Sequence, residues 1–240
     1  MLGINSGFGE PLHAGWPRAV DAAPAQGVLA LVHSPLVVGN IVSGLRLIAG
    51  FIVSLLLGTF LGTTMWRWQM LDDFLGPVFL GVQTLPSVCW VPLSVLVFGF
   101  DERAILFVLV MGSAFGIAIS MRDGLRTIPP LYRRAGQMLG ATGWRFYRYV
   151  MFPASLPALA SSLRSGFSFA WRSLMGAELI LATDNHGLGF LLMSGRENAN
   201  VAQVVAVMIV MILIGMLADR FAFAPLEQRV YARFGLISAT

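Results

Sequence analysis

Residues 201–218 read VAQVVAVMIVMILIGMLA, an apolar run that contains no charged side chain and ends just before Asp219. A stretch of about 18 or more apolar residues is long enough to cross the hydrocarbon core of a bilayer as a helix. A water-soluble helix of this length would need a polar face, which the run lacks. The segment, extended to Phe221, therefore predicts a transmembrane helix.

Four further apolar segments predict that the whole fold is an all-α membrane bundle of about five spans. The five segments are residues 36–62, 74–100, 104–121, 159–181 and 201–221. Hydrophobic residues make up 57% of the sequence and charged residues 12%, and the mean hydropathy is +0.76. Because soluble domains contain about 25% charged residues, this composition argues against a soluble domain.

The sequence divides into an irregular N-terminal segment, 1–35, and a transmembrane domain, 36–235. Glycines and prolines interrupt any helix in the first segment. Arg46 interrupts the early part of the first span, so residues 36–47 are expected to lie along the membrane surface before the helix enters the bilayer. The apolar segment 74–100 contains Pro86, and Thr84–Ser87 is predicted to form a bend that either faces a pathway or is a simple packing kink.

The basic residues, all of them arginine, predict the orientation. Six arginines lie between residues 122 and 148 against one acid, Asp123. The positive-inside tendency places this loop and the C-terminus in the cytoplasm, and residues 101–103 and 182–200 outside. Orientation in lipid explains the arginines better than nucleic-acid binding. Five spans leave the N-terminus outside, so either a sixth helix precedes them or residues 1–35 have an unusual role.

The polar loop, residues 122–157, is predicted to form two short helices. Prolines at 129 and 130 open the first helix, and Gly140 can end it. Thr142 can cap a second helix that starts near Gly143 and runs to about Phe152. Two short helices joined by a glycine turn make a compact knob, which suits docking into a groove of another protein.

This loop resembles the coupling loop of importer permeases, whose pattern is Glu-Ala-Ala, three residues, Gly, nine residues, Ile-x-Leu-Pro. The matching positions are Arg134-Ala135-Gly136, Gly140 and Val150-Met151-Phe152-Pro153. The spacing is the same throughout, while Arg134 replaces the glutamate. The expected coupling residues are Arg134, Ala135, Gly136, Gly140, Ala141, Thr142, Gly143 and Pro153.

Further stretches are similar to the nitrate/sulfonate/taurine/bicarbonate group of ABC importer permeases. They are 85–93, 98–99, 169–174, 177–179 and 187–189, and the resemblance covers roughly residues 40–235. It implies a type I importer permease fold, a second permease copy, two ATPase subunits that bind ATP and Mg, and a periplasmic or lipid-anchored binding protein. It also implies a multi-pass location in the bacterial cytoplasmic membrane and transport of a small anion.

The sequence favours a subunit without catalytic activity and with no cofactor of its own. It contains no lysine, and therefore no phosphate-binding loop ending in Gly-Lys-Ser/Thr. The single cysteine, Cys89, and three separated histidines match no metal-ligand spacing. A secondary transporter or channel without an ATPase is the alternative; it predicts inverted repeats, which are not evident.

Charged residues inside the fourth span are candidates for the substrate pathway. Arg172 is expected to attract an anion through its planar fork of donors, with Glu178, Thr84, Ser87 and Trp90 as further pathway residues. An ion pair between Arg172 and a residue on another helix is the alternative. Six positions separate Arg172 from Glu178, which puts them on different faces of one helix. Arg164 is expected to reach the cytoplasmic interface.

Overall fold

The computed structural model describes residues 35–140, 142–181 and 187–233, and within these ranges the chain is helical, with no strand. In chain order the helices are α1 (Pro35–Arg67), α2 (Gln69–Thr84), a 3-10 helix (Ser87–Trp90), α3 (Val91–Phe98), α4 (Glu102–Arg126), α5 (Pro130–Met138), α6 (Gly143–Phe146), a first π-helix (Tyr147–Met151), α7 (Phe152–Leu181), α8 (Leu188–Glu197), α9 (Val201–Ala218), a second π-helix (Asp219–Phe223) and α10 (Ala224–Arg233). The predicted all-α fold is confirmed.

Within the described ranges, three helices are long and apolar enough to cross a membrane: α1, α4 and the continuous helix Val201–Ala232. The pair formed by α2 and Ser87–Phe98 passes the same test together but is bent by 100°, the geometry of a broken span or of a re-entrant loop. The predicted fourth span, residues 159–181, lies in α7, which is 30 residues long. Arg164, Arg172 and Glu178 make α7 more polar than the other spans.

Helix α4 lies at the centre of the bundle, between α1 and α7. Its residues Ile105, Val108 and Leu109 are completely buried against α7. Small residues allow α1 and α4 to approach each other closely. A Cβ added at Gly58 of α1 would lie 2.7 Å from the Cβ of Ile117 of α4. Dispersion forces and close packing hold helices together in lipid, where the hydrophobic effect between them is absent.

The first span differs from its prediction at Arg46. Helix α1 continues without a break from Pro35 to Arg67, so the expectation that residues 36–47 lie along the membrane surface is wrong. Arg46 does not interrupt the helix because its side chain is buried and paired with Glu102 and Glu178. Residues 1–34, which include most of the predicted irregular segment, lie outside the described ranges.

Candidate functional site

The bend in the second span lies where the sequence predicts it. Helix α2 ends at Thr84, whose hydroxyl donates to the carbonyl oxygen of Gly81 at 2.6 Å. Leu85 and Pro86 are extended, and the 3-10 helix begins at Ser87. Pro86 has no backbone N–H to donate, and its ring disfavours helical backbone at Leu85, which favours a helix end at this position. The side chain of Leu85 is exposed at the bend. The extended backbone of the bend joins the apolar helices on either side of it.

Two of the predicted pathway residues pack next to this bend. Ser87 lies against α4, where a Cβ added at Gly112 would be 2.9 Å from the Cβ atoms of both Ser87 and Ser173. Trp90 packs edge-on against Phe107, with 6.5 Å between the ring centroids. Both side chains are partly buried, whereas Thr84 is exposed. The bend therefore packs at the place where α4 and α7 contact each other.

Arg172 projects from α7 on an exposed face. Its Nε donates to the carbonyl oxygen of Ser168 at 3.0 Å, and its guanidinium carbon lies 5.2 Å from the centroid of the Phe169 ring. The same ring contacts Gly116, beside the amide of Gln83. Among the described residues, no carboxylate forms an ion pair with Arg172. Its remaining N–H donors are open to a partner outside this part of the chain.

Glu178 lies elsewhere, and the structure does not bring it together with Arg172. Its carboxylate is 1% exposed and accepts hydrogen bonds from the Ser43 hydroxyl at 2.7 Å and from Arg46 Nη1 at 3.0 Å. The backbone N–H of Gly189, in the first turn of α8, donates at 3.1 Å. Glu178 therefore joins α7 to α1 and α8, and its oxygens are occupied by neighbours.

Arg46 extends this network to a fourth helix. Its Nε donates to Glu102 Oε2 at 2.6 Å, and its Nη2 pairs with the other Glu102 oxygen. Glu102 opens α4, where the side chain of Asp101 accepts from its backbone N–H. The sequence analysis did not predict the ion pairs of Arg46. The available signal was one arginine and two acids, each lying in or next to a different predicted span.

A second set of ion pairs lies at the opposite end of the helices. Buried Asp72, on α2, accepts from Arg122 Nη1 at 3.0 Å and pairs with Arg126 on α4. Arg164 binds both oxygens of Asp219, at 2.8 and 2.9 Å, and Glu227 at 2.8 Å. Arg164 thus anchors the C-terminal helix to α7, a role that the sequence did not indicate.

The loop 122–157 forms the predicted pair of short helices. Helix α5 ends at Met138, and Gly140 has a φ of +77°, the left-handed conformation that favours glycine at a helix end. Gly143, with a φ of +53°, opens α6 as predicted, and the Thr142 carbonyl accepts from the N–H of Phe146. Ala141 lies outside the described residues.

The two loop helices contact each other at Gly136. It is buried, and a Cβ there would lie 2.8 Å from a methyl group of Val150 and 3.3 Å from the ring of Phe146. Arg134 and Ala135 lie on the opposite, exposed face of α5. The hairpin therefore packs through Gly136 and presents Arg134 outward.

The second loop helix is continuous with α7, which differs from the predicted break at Pro153. Residues 143–181 are helical throughout, and the turn 147–151 is a wider π-helix. Pro153, the second residue of α7, cannot donate to the carbonyl four residues earlier, which favours a widened turn there. The loop hairpin is thus joined directly to the helix that carries Arg172.

Comparison with known proteins places this architecture in a family. Residues 54–230 match the family described as "Binding-protein-dependent transport system inner membrane component". The putative ABC transporter permease protein MJ0413 of Methanocaldococcus jannaschii is 32% identical over 82% of this chain and 73% of that protein. The nitrate import permease protein NrtB of Synechocystis is 25% identical over 77% of this chain and 68% of that protein.

Permeases named for bicarbonate, aliphatic sulfonates and taurine are also among its relatives. A chain of the inward-facing MetNI methionine ABC transporter superposes with a TM-score of 0.65 at 20% identity, over 83% of this chain and 98% of that chain. This likeness confirms the predicted type I importer permease fold. The matched segment and the 32%-identical relative show that the chain belongs to the inner membrane components of binding-protein-dependent transport systems.

Proposed function

We propose that this chain forms the translocation pathway of an ABC importer for a small anion of the sulfonate, taurine, nitrate or bicarbonate class. An extracytoplasmic binding protein delivers the anion, and two partner ATPase subunits bind ATP and Mg and drive transport. The observation that carries the proposal is Arg172, an exposed cation on the membrane helix that continues directly from the loop hairpin.

The surroundings of Arg172 support a role in anion passage. Charged groups inside a membrane usually face the bundle interior or a water-filled cavity, since exposure to lipid is costly. A guanidinium presents a planar fork of donors that matches carboxylate, sulfonate and nitrate oxygens. Because the described residues offer Arg172 no carboxylate, an anion does not have to displace an internal ion pair.

The bend at 84–87 supports the same location for the pathway and a second permease copy. Irregular backbone is tolerated at membrane depth only where protein or a water-filled cavity covers it. Leu85 and Val88 are exposed in the single chain, so a second copy covering this region would satisfy that requirement. Thr84, Ser87 and Trp90 then line the boundary between the two copies. Glu178, which is buried and fully engaged, holds the helices together instead.

The loop 122–157 is the proposed docking site for the ATPases, and it lies on the cytoplasmic side. Tyr231 of the C-terminal helix lines a cavity of about 270 Å³ together with Tyr132 of the loop and Ser161 of α7. Helix α10 therefore packs beside the loop, which supports a cytoplasmic C-terminus. The chain itself has no phosphate-binding loop in its sequence, so we assign ATP hydrolysis to the partners.

Purification of the full chain from gently solubilised native membranes tests this function. We expect an ATPase subunit to co-purify and the complex, in proteoliposomes with its binding protein, to take up a radiolabelled anion only when ATP is supplied. Nitrate, bicarbonate, taurine and an alkanesulfonate would be compared under the same conditions. A chain that purifies alone and transports without ATP would contradict the proposal and favour a secondary transporter.

A further inference from the structure

Part of the positive charge of the loop is not paired with any carboxylate in the described part of the chain. Between Asp123 and Glu178 the sequence has no acidic residue. Arg46, Arg122, Arg126 and Arg164 are all paired with carboxylates. In contrast, the loop arginines 134, 145 and 148 are exposed, and no ion pair joins them to a described carboxylate.

The same hairpin exposes an apolar patch. Leu131, in the first turn of α5, is 73% exposed. Met138 and Leu139, at the end of α5, are each 87% exposed. Exposed apolar side chains surrounded by polar or charged groups are typical of a protein interface. We define the coupling surface as Leu131, Met138 and Leu139 together with Arg134, Arg145 and Arg148.

We infer that the coupling surface docks into an ATPase groove whose floor is apolar and whose rim is acidic, with Arg134 facing a carboxylate of the partner. This inference rests on the proposed function, because it identifies the chemistry of the partner at the same docking site. Charge complementarity across an interface selects the correct partner and speeds its association. This permease would therefore reject ATPase subunits whose groove carries basic residues at those positions.

An anionic membrane surface is the competing occupant, and the position of the loop argues against it. The predicted span in α7 begins at residue 159. Arg148 precedes residue 159 by eleven positions in one continuous helix, which corresponds to about 16 Å along the axis. The Debye length at physiological salt is about 8 Å, so attraction to lipid headgroups is weak at that distance.

The test uses the full chain in nanodiscs made of phosphatidylcholine alone. The probe is the ATPase subunit that co-purifies with the wild-type chain, and its retention on the immobilised nanodiscs is measured. Raising the salt from about 0.1 M to about 1 M shortens the Debye length from about 10 Å to about 3 Å. We expect this change to lower the affinity of the wild-type chain for the ATPase at least about tenfold.

Charge reversal is compared at two matched positions on the cytoplasmic side. Arg134→Glu should weaken ATPase binding at least about tenfold at low salt, and reversal at 145 and 148 as well should weaken it further. Arg229→Glu, on exposed α10, makes the same charge change outside the coupling surface and should alter the affinity less than about twofold. Arg134→Gln should have an intermediate effect.

Each other outcome overturns a different statement. ATPase binding that is equally tight in Arg134→Glu and Arg229→Glu, and insensitive to salt, would overturn the acidic groove and leave the proposed function standing. An effect of Arg134→Glu that appears only when phosphatidylglycerol is added would identify the membrane as the occupant. Failure to recover any ATPase with the wild-type chain would overturn the proposed function itself. All exchanged side chains are exposed, and a single gel-filtration peak checks their folding.

Discussion

At the scale of single residues, the two charged positions in α7 have different surroundings. Glu178 accepts hydrogen bonds from a hydroxyl, a guanidinium and a backbone N–H, and it is almost completely buried. Arg172, six positions earlier, contacts only a carbonyl and an aromatic ring among the described residues. A buried, fully satisfied charge holds helices in place, whereas an exposed one is available to a ligand.

We expect Glu178→Ala to destabilise the protein much more than Glu102→Ala, although both acids bind Arg46. Glu178 is 1% exposed and Glu102 is 40% exposed. Only the first variant therefore removes a buried acceptor, the one that Arg46 Nη1 and the Ser43 hydroxyl share, while Arg46 keeps its bonds to Glu102. Breaking a buried ion pair lowers the free energy of unfolding by about 3–5 kcal/mol, whereas an exposed ion pair contributes about 0–1 kcal/mol to it. Thermal unfolding in detergent measures the difference. Equal losses from the two variants would show that the network does not depend on burial.

Replacement of Arg172 should affect transport without affecting stability. We expect Arg172→Ala to lower the anion uptake rate at least about tenfold, which corresponds to a free-energy difference of about 1.4 kcal/mol. Arg172→Lys should retain part of the activity, because it keeps the charge and loses the planar fork. Arg103→Ala, also exposed, is the control and should transport normally. Unchanged uptake by a normally abundant Arg172→Ala protein would remove Arg172 from the pathway.

At the scale of elements, two widened turns link membrane helices to their extensions. The first π-helix, Tyr147–Met151, joins the loop hairpin to α7, and the second, Asp219–Phe223, joins α9 to α10. Each ends two residues before a proline, Pro153 or Pro225. Because a proline removes a backbone donor and crowds the preceding turn, both widened turns have a local cause.

Local chemistry also explains which elements could be predicted from the sequence. The bend at Pro86 and the helix end at Gly140 depend on one residue and its neighbours, and both predictions are confirmed. The continuity of α1 through Arg46 depends on partners 56 and 132 positions away. Sequence spacing alone cannot identify such partners, because packing decides which spans meet. The roles of the predicted coupling and pathway residues stay predictions.

The loop hairpin should lose coupling when its turn is changed. Proline fixes φ near −65°, which is incompatible with the φ of +77° at Gly140, and it removes the N–H that donates to Gln137. We expect Gly140→Pro to abolish ATP-driven uptake while the protein remains in the membrane; Gly143→Pro should act similarly. Gly140→Ala, which costs about 1–2 kcal/mol in the left-handed conformation, should be milder. Normal ATP-driven uptake by Gly140→Pro would contradict docking through this hairpin.

At the scale of the whole molecule, ion pairs mark the two ends of the bundle. The network of Arg46, Glu102 and Glu178 lies at one end, and Asp72 with Arg122 lies at the other. The arginine-rich loop and the C-terminal helix share the second end, since Tyr231 and Tyr132 line one cavity. If the arginine-rich loop lies in the cytoplasm, as we propose, the turn at Asp101–Arg103 faces outward.

Labelling with a membrane-impermeant thiol reagent tests this orientation, with Cys89→Ser as the background. We expect Arg103→Cys to react in intact cells or spheroplasts, whereas Leu139→Cys and Gln228→Cys should react only after the membrane is permeabilised. All three positions are exposed, so differences in labelling report sidedness and not burial. Labelling of Gln228→Cys without permeabilisation would place the C-terminus outside. Labelling of Gln228→Cys but not of Leu139→Cys in intact cells would also contradict the shared cavity, because α10 could not then pack beside the loop.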